Sequence, residues 1–148
     1  MTSVVLDPAA ETATQTTIGE QEGEFPIVAL DDVGHRYRQL LSVERSVDRA
    51  SDVPDFDQVA LFDVDNGRSE RFSYGDDCLV EEHLLVAADG NTRPRWIVGT
   101  ALDMRADSTV LSVFDASHLV DGPIAQARLP FSLPLGLHGT FRSKALAT

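Results

Sequence analysis

The side chains best suited to metal chemistry in this sequence are four histidines, His35, His83, His118 and His138, and one cysteine, Cys78. His138 has the most distinctive surroundings. It lies in residues 129–141, LPFSLPLGLHGTF, where Pro130 and Pro134 fix an extended, turning backbone and remove amide donors. Gly136 and Gly139 flank it, and residues without a Cβ let backbone or ligand come close. A neutral imidazole in that setting suits a metal ligand, and it suits a tight turn equally well. The other histidines have ordinary readings: His35 on an exposed strand beside Arg36 and Arg38, His83 alternating with apolar residues, His118 in a polar turn. Cys78 follows Asp76 and Asp77, whose charge disfavours a thiolate, so a nucleophile is not expected there. Trp96 reads as a core residue rather than a substrate platform. Two acids in apolar contexts, Glu24 and Glu82, read by themselves as solvated surface groups, with Glu82 indistinguishable from Glu81.

The elements that must position these residues are strands. Segments 36–43 (RYRQLLSV), 58–64 (QVALFDV), 80–87, 95–102 (RWIVGTAL), 109–114 (TVLSVF) and 124–129 are short and apolar or alternating. Asp65-Asn66-Gly67 is a hairpin signal, because Asn and Gly tolerate positive φ. Asp89-Gly90-Asn91 and Asp121-Gly122-Pro123 punctuate the chain in the same way. Residues 3–6 and 14–18 are candidate strands in a tail rich in Thr, Ala and Glu, and 116–119 has room for one helical turn. An all-β sandwich or consecutive propeller blades follow from this spacing, and periodicity does not choose between them.

Composition narrows the function classes. The chain has 148 residues, about one ordinary domain, with 43% hydrophobic and 24% charged residues. A net charge of -12 argues against a nucleic-acid partner, which needs a basic face. The charge is uneven: residues 1–92 hold 20 acids and 6 bases, residues 93–148 hold 4 acids and 6 bases. That imbalance reads as a solvated acidic surface. No run is long and apolar enough for a transmembrane segment, the N-terminus lacks the pattern of a secretory signal, and a lone cysteine suits a reducing compartment. A cytoplasmic location is the default expectation.

The 129–141 segment resembles the closing motif of the carotenoid cleavage oxygenase family, which includes stilbene-cleaving enzymes and the retinoid isomerase. That motif is a Leu-Pro pair, a second Pro, then Gly-Phe-His-Gly and an aromatic residue. Further resemblance lies in Gly23-Glu24-Phe25-Pro26, in His35-Arg36-Tyr37-Arg38, and in Glu81 to Val86. Residues 96–102, 110–116 and 121–129 are similar to the last blade strands ahead of the histidine, so the likeness runs from about residue 3 to 142. Leu137 stands where the family has Phe, and Asn91-Thr92-Arg93-Pro94 replaces an acidic pair and glycine.

The resemblance implies an all-β fold, the C-terminal blades of a seven-bladed β-propeller, incomplete in this chain. It divides the chain into residues 1–19, a segment with possible strands of a truncated blade; residues 20–142, the C-terminal blades; and residues 143–148, a tail. It makes His138 the last of four histidines around one iron(II) per complete enzyme, with dioxygen as co-substrate. Glu24 and Glu82 become the carboxylates that hold the outer nitrogens of metal-bound histidines, fixing tautomer and raising donor strength. The implied reaction is oxidative cleavage of a conjugated C=C bond of a carotenoid, apocarotenoid or stilbene into two carbonyl products. No histidine precedes His35, so the other three ligands are expected from a missing N-terminal part of the propeller. The fragment alone is then expected to be inactive, since one imidazole holds ferrous iron poorly. A non-catalytic all-β binding or interaction module derived from the family is the alternative.

Overall fold

Short apolar runs separated by turn residues become strands that pair with their sequence neighbours. A computed structural model describes residues 2–19, 21–46, 55–88 and 93–142. Strands β1 (Thr2–Asp7) and β2 (Thr12–Thr17) form an antiparallel hairpin. Strands β3 (Gly23–Ile27), β4 (Gln39–Glu44), β5 (Gln58–Asp63) and β6 (Arg68–Ser73) form a four-stranded antiparallel meander. Strands β7 (Cys78–Ala87), β8 (Pro94–Asp103), β9 (Ser108–Asp115) and β10 (Pro123–Arg128) form a second. Helical structure among the described residues is limited to two 3-10 turns, Leu30–Asp32 and Leu119–Asp121.

The expected strands at 58–64, 80–87, 95–102, 109–114 and 124–129 form close to their anticipated bounds, as do both strands of the N-terminal hairpin. The strand expected at 36–43 is shorter. It begins at Gln39; ahead of it Arg36 reaches Asp65, and Arg38 Nε and Nη2 both donate to Asp63 Oδ2, at 2.9 and 2.8 Å. His35 therefore sits in an exposed bend rather than on a strand. The Asp65-Asn66-Gly67 turn forms: Asp63 Oδ1 accepts the amides of Asp65 and Asn66, and Gly67 has φ 70°. The turn read at Asp89-Gly90-Asn91 lies outside the described residues.

The meanders pack face to face around Leu41, Val59 and Leu61 of one sheet, Ile97 and Phe114 of the other, and Ala116 and Leu119 from the segment after β9. A second cluster, Val43, Phe56, Val80 and Ala101, extends that core. Each large apolar side chain so buried contributes about 1.5–3 kcal/mol by leaving water. β4 and β5 are buried along almost their whole length, which fits the unbroken apolar run Val59–Phe62 of β5. Trp96 is half-buried, with the Arg95 guanidinium 5.3 Å from its ring centroid, so it lies at the margin of the core.

The first strand of each meander carries a bulge. In β3, Glu24 opposes Val43 and Ile27 opposes Leu41, leaving one extra residue at Phe25-Pro26. Phe25 takes φ 51°, a left-handed conformation that costs a non-glycine residue roughly 1–2 kcal/mol. In β7, Val80 opposes Ala101 and His83 opposes Gly99, leaving one extra residue at Glu81-Glu82. A bulge re-aims side chains that a regular strand would send to opposite faces.

Candidate metal-ligand site

Residues 129–141 form a strap that leaves β10, bonds to Thr109 of β9 and reaches the bulge of β7. Pro130 and Pro134 lack amides for a sheet ladder, so the strap is fastened by single bonds. The Leu129 amide donates to the Thr109 carbonyl, the Thr109 amide to the Phe131 carbonyl, and the Leu133 amide to Thr109 Oγ1. At β7 the two bulge carboxylates take over. The Gly136 amide donates to Glu81 Oε1 at 2.5 Å, and the Gly139 amide donates to Glu82 Oε2.

Between these two fastenings stands His138. Its Nδ1 lies 3.1 Å from Glu82 Oε1. An ionised carboxylate can only accept, so Nδ1 donates to it, and Nε2 is the nitrogen left facing away from Glu82, the one a ligand bond would use. The Glu82 side chain is 8% exposed while that of His138 is 77% exposed, so a buried anchor orients an accessible ring. The Phe25 ring meets the imidazole edge-on, with centroids 5.6 Å apart and planes at 87°. Both bulges thus bear on the same histidine.

His83 secures the β7 bulge from below. It is fully buried; its Nδ1–H donates to the Glu81 carbonyl at 2.8 Å, and Nε2 accepts from the Tyr74 hydroxyl at 2.9 Å. Burial holds its pKa down, to about 4, against the opposing carbonyl bond, so the ring is neutral. Burial likewise pushes the Tyr74 hydroxyl up, keeping it a donor. Both nitrogens are engaged, which fits the ordinary reading of His83. Gly99 makes room for the ring, since a Cβ there would stand 2.2 Å from His83 Cγ.

The remaining candidates lie apart. Glu24 is exposed on β3, and no hydrogen bond or ion pair among the described residues joins it to His138. His118 is exposed, its Nδ1 3.9 Å from Asp115 Oδ1, and the Asp115 carboxyl is lowered first by the Ser117 amide. Among the described residues, no three His, Cys, Asp or Glu side chains are grouped to hold a metal ion. Of the candidate residues, the structure brings His138 and Glu82 together as a pair. Sequence reasoning missed Glu81 and the left-handed Phe25. Adjacent acids inside an apolar strand, LVEEHLLV, were the available signal for the bulge.

Two four-stranded meanders and a hairpin that close no ring define the class: an all-β protein built as part of a seven-bladed β-propeller. The family model described as retinal pigment epithelial membrane protein matches residues 1–143, and the chain belongs to that family. It is 29% identical over 128 residues to lignostilbene-alpha,beta-dioxygenase isozyme III of Sphingomonas paucimobilis, covering 80% of this chain and 26% of that protein. It is 30% identical over 92 residues to a chloroplastic 9-cis-epoxycarotenoid dioxygenase of Arabidopsis thaliana, covering 58% of this chain and 15% of that protein. Cobalt-substituted apocarotenoid oxygenase of Synechocystis superposes with a TM-score of 0.87 at 21% identity, over 97% of this chain and 30% of that one. A variant of the same oxygenase gives 0.84 at 21% identity, over 94% and 29%. The chain thus spans about a quarter of the stilbene relative's length. No helix among the described residues is long and apolar enough to cross a membrane.

Proposed function

We propose that His138 is one of the histidine ligands of a non-haem iron(II) and that this chain supplies the C-terminal blades of a carotenoid, apocarotenoid or stilbene cleavage dioxygenase. The observation that carries this reading is the His138–Glu82 pair, an accessible imidazole whose outer nitrogen is held by a buried carboxylate. Glu82 fixes the tautomer and raises the basicity of Nε2. Glu24, exposed on β3, would serve a histidine contributed from outside this chain. Iron(II), when bound, supplies the activation of dioxygen beside a conjugated double bond. In this reading residues 20–142 are the blades, 1–19 belong to a further blade, and 143–148 are a tail.

The second reading is a non-catalytic all-β binding module derived from the same family. A chimera separates the two. Residues 20–142 replace the matching part of the Synechocystis apocarotenoid oxygenase, and iron content and cleavage are measured. The dioxygenase reading expects both to be retained, and both to be lost with His138→Ala but not with His118→Ala. A folded chimera without iron, or one whose iron survives His138→Ala, would overturn it.

A further inference from the structure

Glu81 has a claim on the site that no reading of its sequence position gives. Its carboxylate is buried, the residue being 6% exposed, and a buried carboxylate is costly unless its oxygens are satisfied. Both are. Thr100 Oγ1 on β8 donates to Oε2 at 2.6 Å, and the Gly136 amide donates to Oε1 at 2.5 Å. Thr100 belongs to the sheet and Gly136 to the strap, so Glu81 bridges a rigid element to an otherwise exposed segment. The glycine is fitted to this contact, since a Cβ at Gly136 would stand 3.3 Å from Glu81 Oε1.

We propose that Glu81 is a positioning residue for His138: with Thr100 it pins the strap at Gly136, which sets the approach of the imidazole to Glu82. The bulge makes this possible, because in a regular strand neighbouring side chains leave on opposite faces. Here Glu81 takes the amide two residues before His138 and Glu82 the amide after it, so the histidine lies between two amides held by the carboxylates of one bulge. Glu82 alone would leave the ring tethered from one side on a strap whose residues 131–142 are exposed throughout. The consequence for metal binding rests on the ligand reading of His138; the positional role does not.

The test is hydrogen–deuterium exchange, read by mass spectrometry on the metal-free 148-residue chain at low micromolar concentration. Glu81→Leu is expected to speed exchange in peptides covering residues 133–140 about tenfold or more, as loss of a charge-assisted bond implies. Peptides from β8 and β9 should hold their rates. Glu81→Gln, which keeps an acceptor oxygen, should restore most of the protection. Unchanged strap exchange in Glu81→Leu, with β8 and β9 intact, would overturn the proposal. Should Glu81→Leu loosen the whole sheet, Thr100→Val decides, since it removes only the hydroxyl that orients Glu81. A strap-confined, several-fold acceleration supports the role, and no acceleration overturns it. Because no metal is present, these outcomes stand apart from the chimera result, which alone decides whether His138 ligates iron.

Discussion

His138 Nδ1 and Glu82 Oε1 lie 3.1 Å apart although 56 positions separate them in the chain. The same carboxylate takes the Gly139 amide, so Glu82 fixes both the ring and the backbone that carries it.

Replacing that carboxylate while keeping its shape should weaken metal retention without abolishing it. In the chimera, Glu82→Gln is expected to lower iron affinity about 10–100-fold, the usual effect of losing a ligand's orienting partner. Glu24→Gln should fall in the same range, and both should cost less than His138→Ala. Iron per chain after dialysis against a chelator checks this, and retention equal to the parent would remove Glu82 from the site.

Acid sensitivity should report on His83. Its folded pKa of about 4 lies below the ordinary 6.5, so the unfolded chain binds the extra proton. Its stabilising effect is full above 6.5 and is lost as pH falls through about 4, on the order of 3 kcal/mol in all. Asp63, Asp103 and Asp115 are also lowered, from 3.8, so their contributions fade only at more acid pH. Urea unfolding at pH 7, 5.5 and 4.5 should show the decline, and His83→Leu should flatten it.

Gly99 offers a sharper packing test. A Cβ there would stand 2.2, 2.4 and 2.5 Å from three ring atoms of His83, with the imidazole locked between Tyr74 and the Glu81 carbonyl. Gly99→Ala should cost about 3 kcal/mol or prevent folding, at the upper end for overpacking. Adding His83→Ala frees the space, so the double variant should be more stable than Gly99→Ala alone. Additive losses in denaturant unfolding would contradict the contact.

Solubility provides a fourth expectation. Phe131, Leu133, Leu135 and Leu137 alternate along the strap and are each at least 42% exposed. Expressed by itself, the 148-residue chain should self-associate at tens of micromolar, because such an apolar row invites contact. Sedimentation velocity should show the shift, and Phe131→Lys with Leu135→Lys should reduce it. A monomer at every concentration would count against this row as a sticky surface.

Much of the fold was legible in the sequence because strand formation here is local. Short apolar runs in 58–64 and 109–114, and the positive φ that Asn and Gly tolerate at Asn66-Gly67, specify strands and a turn without reference to distant residues. His138 could be picked out because prolines and glycines mark an unusual backbone, and because the motif around it resembles that of a family to which the chain belongs. The short start of β4 was not legible. Ahead of it Arg36 and Arg38 pair with Asp65 and Asp63, 29 and 25 positions away in the chain.

What the sequence by itself determined was the kind of element at each position and the one histidine set in a special backbone. Only the tertiary structure decided which acids meet that histidine. Period-two alternation sends Glu81 and Glu82 to opposite faces, and the one-residue bulge of β7, tied by His83 to the Glu81 carbonyl, brings both to the strap. A bulge of that kind depends on the register with β8 and on the space above Gly99, contacts between residues far apart in the chain.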